Sequence, residues 1–166
     1  MSEVWVLDSS PIITLAKVGS LGILEKLATT LLIPEAVAAE IQLGPSDDPA
    51  RKVLESGWGQ RVAPQIVQAG LLEWGLGAGE TSVLALATEQ PDRTAILDDA
   101  AARTCARTLG VPFLGTLGVV LRAKRAGLIE SAARVLEALQ VAGLRLDENT
   151  VRTALERGAG EEWPHR

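Results

Sequence analysis

The sequence contains very few cysteine, histidine and aromatic residues, and each shortage excludes a class of structure or site. Its single cysteine, Cys105, cannot form an internal disulfide, a usage typical of proteins from a reducing compartment. Its single histidine, His165, lies in the terminal sequence WPHR, so we expect a bystander rather than a catalytic base or a metal ligand. Aromatic residues make up 3% of the chain, so the core must be built from aliphatic side chains.

Long apolar runs and an excess of positive charge are also missing. No stretch approaches the roughly 20 apolar residues of a membrane span, and the opening residues have no basic region like that of a secretory signal. We therefore expect a soluble, cytoplasmic protein without membrane contact. The net charge of −5 argues against a sequence-blind nucleic-acid binder. It does not exclude a nuclease that holds cations between its own carboxylates and a phosphate.

The sequence does contain an alternation of short apolar strands and amphipathic helices. The clearest strands are residues 4–7 and 94–97, and the first has no polar alternation, as in a parallel strand covered on both faces. Further strands are predicted at 30–33, 60–63 and 111–115. Helices are predicted at 11–28 with a break near 19–22, and at 35–42, 50–56, 79–89, 100–109, 117–126 (capped by Thr116), 130–141 and 147–157. This order indicates a single α/β domain with a doubly wound parallel sheet of four to five strands flanked by helices.

Acidic residues end both of the clearest strands. Asp8 follows residues 4–7, and Asp98 and Asp99 follow residues 94–97. Sites in open parallel sheets form beyond the carboxyl ends of the strands, so neighbouring strands would bring these carboxylates together. Ser10, two residues after Asp8, could support the first carboxylate or bind a water of a metal ion.

The strand-end acids also have structural interpretations. Asp8 could cap the helix that follows it, since aspartate is common at that position. Asp98 or Asp99 could cap the helix at 100–109, and Asp99 could form an ion pair with Arg103 one turn on.

Two glutamates on helices could join the strand-end acids. Glu40 flanks the apolar stripe of the helix at 35–42, and Glu80 lies in the first turn after the sequence GLGAG. Glu80 could instead complement a helix dipole, and Glu40 could simply face water. Four gathered carboxylates would repel one another unless a cation compensates them or some of them bind protons. Hard oxygen ligands indicate Mg²⁺ or Mn²⁺.

Five segments, in order along the chain, resemble PIN-domain proteins. They are VLDSSPIITLAKVG, IPEAVAAEI, GAGETSVLALA, ILDDAAAR and FLGTLGVVLRAKRAGLI, and they span about residues 4–130. Together they look most like the VapC-like ribonuclease toxins of bacteria and archaea, and like a PIN-like subgroup within them. The resemblance implies a PIN-like fold and a metal-dependent endoribonuclease that hydrolyses RNA phosphodiester bonds with Mg²⁺ or Mn²⁺.

Carried over by position, the resemblance implies a catalytic and metal-binding set of four acids with an accompanying hydroxyl. The set is Asp8, Glu40, Glu80 and one of the pair Asp98 and Asp99, with Ser10 as the hydroxyl. Two departures stand out. The third position is often aspartate in the family, and here it is the longer Glu80. The strand end reads Leu97-Asp98-Asp99 where many members have threonine or serine first. The spacing favours Asp99 as the ligand and leaves Asp98 open.

The resemblance also implies partners and a division of the chain. An RNA substrate, a cognate antitoxin protein and a homodimer are expected. A PIN-like nuclease domain would span residues 1–143, with 144–166 as a C-terminal helix and tail. Arg103 and Arg107, on one helix face, could bind RNA phosphates, although a solvated face explains them equally well. The alternative function is a catalytically inactive PIN-like module that binds other proteins.

Overall fold

The computed structural model describes residues 3–163, which leaves His165 outside the described residues. These residues form one parallel sheet of five strands flanked by ten helices. The strands are β1 (Val4–Leu7), β2 (Thr30–Pro34), β3 (Gln60–Val62), β4 (Arg93–Ile96) and β5 (Phe113–Leu114). The helices are α1 (Ser9–Lys17), α2 (Gly22–Leu27), α3 (Glu35–Gln42), α4 (Pro49–Glu55), α5 (Ala69–Leu72), α6 (Ala78–Glu89), α7 (Ala100–Leu109), α8 (Thr116–Arg125), α9 (Ala132–Val141) and α10 (Glu148–Gly158).

Strand β1 is the centre of the sheet, whose order is β3-β2-β1-β4-β5. Successive residues of a strand point to opposite faces, and Trp5, Val6 and Leu7 are all fully buried. Both faces of β1 are therefore covered, which explains why its sequence has no polar alternation.

The chain reverses its direction of travel across the sheet at β1, which pairs with β2 on one side and β4 on the other. Leu7 is in register with Ile96, and the Asp8 N–H donates to the Ile96 carbonyl at 3.2 Å. The residues that follow β1 and β4 thus leave the sheet side by side. This is the switch point at which open α/β sheets form their sites.

The predicted fold class is confirmed, and most predicted element bounds shift by only one or two residues. The first helix begins at Ser9 rather than at Pro11. Proline fits there because N–H groups in the first turn have no partner within the helix. The one-turn helix α5 was not predicted, since four residues cannot show a helical period.

The described helices are short and pack into a common aliphatic core with the sheet. Cys105 is fully buried on α7 and acts as part of that core. Within residues 3–163, no helix has both the length and the apolar character that crossing a membrane would require.

Candidate active site

Asp8 lies at the end of β1, in the N-cap position of α1, and is 4% exposed. Its side chain makes no capping hydrogen bond, so the capping interpretation of Asp8 is wrong. The carboxylate is therefore buried at the sheet edge without the usual function of an N-cap.

Burial raises the pKa of Asp8 from 3.8 to about 7. The nearby Ser9 N–H opposes this rise, whereas the charges of Glu80, Glu40 and Asp98 add to it. Without a cation, the Asp8 carboxyl therefore holds a proton much more readily than an ordinary aspartate does. A positive ion beside it would restore the charged form.

Asp98, which follows β4, is held by donors from two other elements. Its Oδ1 accepts from the Thr116 N–H at 2.7 Å, and its Oδ2 accepts from the Thr116 hydroxyl at 2.7 Å. The Ser10 hydroxyl also donates to Oδ2, at 3.3 Å. Ser10 thus supports Asp98 rather than Asp8, across the junction of β1 and β4.

Asp99 points differently from its neighbour. It is exposed, and its Oδ2 accepts from the Ala102 N–H at 2.9 Å, which caps α7. The predicted ion pair with Arg103 does not form among the salt bridges of residues 3–163. The Asp99 charge still acts on a neighbouring acid, because it helps to raise the pKa of Glu80.

Glu40 reaches the sheet edge from α3. Its Oε2 accepts from the Ser9 hydroxyl at 3.1 Å. Its carboxylate also lies against the backbone of Gly79, where an added Cβ would stand 2.3 Å from Oε1. Only glycine at position 79 therefore leaves room for Glu40 at the start of α6.

Glu80 approaches the other acids from the first turn of α6. Its carboxylate accepts from the Gly77 N–H at 2.9 Å, so the predicted structural function at the helix start is present. Burial raises the pKa of Glu80, the Gly77 N–H opposes this, and Asp99 and Glu40 raise it further. Glu80 is thus both a helix-terminal residue and a member of the acidic cluster.

The acidic cluster, defined as Asp8, Glu40, Glu80, Asp98 and Asp99, has a donor set suited to a hard divalent cation, since every side chain offers oxygen. None of its members takes part in a salt bridge within residues 3–163. In the same residues, no three Asp, Glu, His or Cys side chains approach closely enough to form a coordinating group. The cluster is thus a set of carboxylates that share one electrostatic environment, each held by its own hydrogen bonds.

Comparison with known families identifies this arrangement. A family model, DUF3368, described as a PIN domain, matches residues 4–160. The chain belongs to the PIN domain family. PIN domains are in general nucleases and typically use divalent metals. No curated protein matches the chain significantly.

Thr116 contacts the acidic cluster directly, whereas its sequence predicts a different function for it. It was predicted to cap the helix after β5, but Gly115 occupies the cap position and Thr116 is the first helical residue. It is fully buried, and its N–H and hydroxyl both bind Asp98. The same strand-end logic that found Asp8 and Asp98 would have found Thr116, had it been applied to β5.

The two arginines of α7 lie in different surroundings in this PIN domain. The Arg107 guanidinium lies over the Phe113 ring, 5.3 Å from its centroid. Arg103 is half-buried and lies beside Gly115, close to Asp98. Of the two, Arg103 is the one placed next to the acidic cluster.

Proposed function

We propose that this PIN domain is a metal-dependent endoribonuclease. The observation that carries the proposal is the buried Asp8 carboxyl, whose pKa is raised to about 7 by burial and by three neighbouring acids. A buried acid of this kind, in a cluster whose members form no salt bridge within residues 3–163, is typical of a functional site. The family supports a nuclease, and the five matched segments of the sequence favour RNA as its substrate.

The acidic cluster would hold Mg²⁺ or Mn²⁺, with Asp8, Glu40, Glu80 and one of Asp98 and Asp99 as ligands. A divalent ion bound there would polarise the scissile phosphate and lower the pKa of the attacking water. Other residues of the chain hold these carboxylates in place. Thr116 and Ser10 fix the orientation of Asp98, and Gly79 keeps the space that Glu40 occupies.

We also propose that the nuclease is the toxin of a toxin–antitoxin pair and forms a homodimer. The support is the resemblance to VapC-like toxins, in which a partner protein would cover the acidic edge. Expression of the wild-type chain should arrest bacterial growth, and expression of Asp8→Asn should not. Growth of cells expressing the wild type without any partner would contradict the toxin assignment, and light scattering would test the dimer.

The central experiment measures metal binding and cleavage separately. At saturating Mg²⁺ we expect a rise in melting temperature of about 5–10 °C, which corresponds to about 2.7 kcal/mol at 100 times the Kd. EDTA should stop cleavage of single-stranded RNA. Asp8→Asn should remove both effects, whereas Asp92→Asn, a change of the same type at an exposed position, should retain both.

Three results would contradict the proposal in different ways. A wild type with no metal-dependent shift would remove the metal site. Cleavage that survives EDTA would indicate another mechanism. A metal-dependent shift without cleavage of any RNA would favour the alternative, a catalytically inactive module that binds proteins.

A further inference from the structure

A small cleft borders the acidic cluster at Asp98. Its volume is about 130 Å³, and its walls come from α7, from the junction of β5 and α8, and from residues 144–151. Two arginines line it, Arg103 from α7 and Arg145 from the segment that leads into α10. We call this space, bounded by Asp98, Arg103, Gly115, Arg145 and Asp147, the arginine cleft.

The two carboxylates of the arginine cleft already have donors. Asp98 binds Thr116 and Ser10. Asp147 caps α10, where its Oδ2 accepts from the Thr150 N–H at 2.9 Å and from the Thr150 hydroxyl at 2.8 Å. These bonds lower the pKa of Asp147, so its charge is stabilised by the helix start.

The two arginines, in contrast, have free guanidinium groups. Within residues 3–163, neither Arg103 nor Arg145 forms a hydrogen bond or salt bridge. Arg145 is exposed and Arg103 is half-buried. The cleft therefore presents two unused cationic donors beside carboxylates that are already satisfied, which is an arrangement suited to an anion.

Gly115 keeps the space between the acid and Arg103 open. A Cβ at position 115 would stand 3.3 Å from Asp98 Oδ1 and 3.4 Å from Arg103 Nη1. A group bound at this point would touch Arg103 while lying directly beside a member of the acidic cluster. The distance to the proposed reaction site is therefore short.

The size of the cleft selects a single charged group. Its volume of about 130 Å³ is well below the roughly 300–1,000 Å³ of pockets that enclose a whole ligand. Arginine is the side chain best suited to phosphate, because its planar guanidinium donates in pairs to phosphate oxygens. A nucleoside would not fit, whereas one backbone phosphate of a longer strand would.

We propose that the arginine cleft binds a backbone phosphate of the RNA substrate, near the phosphate that is cleaved. Arg103 and Arg145 hold it and so set the path of the strand across the acidic cluster. This inference rests on the proposed ribonuclease function and deepens it. It also gives the segment after residue 143 a part in substrate binding.

The test compares Arg145→Ala with Arg157→Ala, which removes the same charge from an exposed position on α10 outside the cleft. The probe is a fluorescein-labelled single-stranded RNA of mixed sequence, and its binding is measured by anisotropy in EDTA at several salt concentrations. Arg145→Ala should weaken binding several-fold and reduce the slope of log K against log salt by about 0.7, the value for one phosphate contact on a single strand. With Mg²⁺, KM should rise by the same factor while kcat stays unchanged.

The outcomes separate this inference from the proposed function. If Arg145→Ala binds RNA like Arg157→Ala, the cleft proposal is wrong, even if cleavage and the metal-dependent shift are intact. If the wild type neither cleaves RNA nor responds to Mg²⁺, the nuclease proposal fails. The comparison of RNA binding by the two variants in EDTA still tests whether the arginine cleft binds a phosphate. If Arg145→Ala loses affinity for an acidic peptide but not for RNA, the cleft is a protein-binding site and the phosphate assignment is overturned.

Discussion

Asp8 and Glu161 are both carboxylates withdrawn from water near the start of a helix, yet their surroundings act on them in opposite ways. Glu161 accepts from the Ser131 hydroxyl at 2.7 Å and from the N–H groups of Ala132 and Ala133 at 2.8 and 3.3 Å, at the start of α9. Partial burial raises its pKa, but these bonds and the charge of Lys124 lower it below the usual value. For Asp8, only the Ser9 N–H lowers the pKa, whereas burial and three acidic neighbours raise it.

The contrast separates a carboxylate used by the fold from one that the fold leaves in need of a cation. Glu161 stabilises the folded chain in its charged form, because it satisfies donors that the start of α9 would otherwise leave unpaired. Asp8 destabilises the folded chain in its charged form. We interpret this difference as the mark of a ligand-binding position, and the predictions below test it.

The largest expected effect is on the pH dependence of stability without metal. The folded chain binds the Asp8 proton more tightly than the unfolded chain, so this proton stabilises the fold. The stabilisation is fully present below the usual pKa of 3.8 and is lost as the pH rises through about 7. Wild type and Asp8→Asn should therefore be equally stable near pH 4. At pH 8 the variant should be more stable, by at most about 4 kcal/mol.

Urea unfolding in EDTA across this pH range measures the difference. Asp92→Asn should follow the wild type at every pH. A wild-type curve parallel to that of Asp8→Asn would show that Asp8 carries no unusual charge cost.

The next largest effect is a loss of stability, which we expect when Glu161 is replaced. Glu161→Gln removes a charge that binds three donors, so we expect a loss of about 1–2 kcal/mol of unfolding free energy at pH 7. Because the pKa of Glu161 is lowered, its contribution is present above the usual pKa of 4.5 and is lost as the pH falls through the folded value. The difference in unfolding free energy between Glu161→Gln and the wild type should therefore become smaller at acidic pH.

Cleavage provides the control for Glu161, which lies outside the acidic cluster. Glu161→Gln should cleave RNA at the wild-type rate under conditions where it is folded. A slower rate for the folded variant would mean that the two carboxylates are not as separate as the comparison requires.

The smallest effect concerns the placement of Glu40. In Gly79→Ala, the new methyl group would displace the Glu40 carboxylate, the flexible end of a side chain, so stability should be unchanged or slightly higher. Cleavage should fall about tenfold, which corresponds to about 1.4 kcal/mol. Gly22→Ala is the matched control, since a Cβ there meets no atom within 4 Å. Equal rates for the two variants would show that the position of Glu40 is unimportant.

The sequence predicted the sheet and the acids at its edge because those features are local. An apolar run followed by aspartate reports a buried strand and its end, and β1 and β4 both carry that pattern. The bonds that orient the acids were not predictable in the same way. Ser10 and Asp98 are 88 positions apart, and no local pattern tells whether a serine will support the acid beside it or one on a neighbouring strand.

Arg145 was missed for a related reason. Its environment depends on how the segment before α10 returns to the sheet edge, and that path is fixed by packing of α10 on α8. A single exposed arginine between apolar residues carries no signal of its own. The sequence does not choose between Asp98 and Asp99 as a ligand either, since both follow the same strand, and both stay candidate ligands.

The sheet order has a consequence for the timing of synthesis. Strand β1 is made first, but its partner β4 begins only at Arg93, so a ribosome must extend the chain past that point before the centre of the sheet can close. Contacts between such distant segments form late in folding. A nascent chain therefore carries Asp8 long before it has Asp98 beside it, and the acidic cluster cannot assemble until β4 has been made.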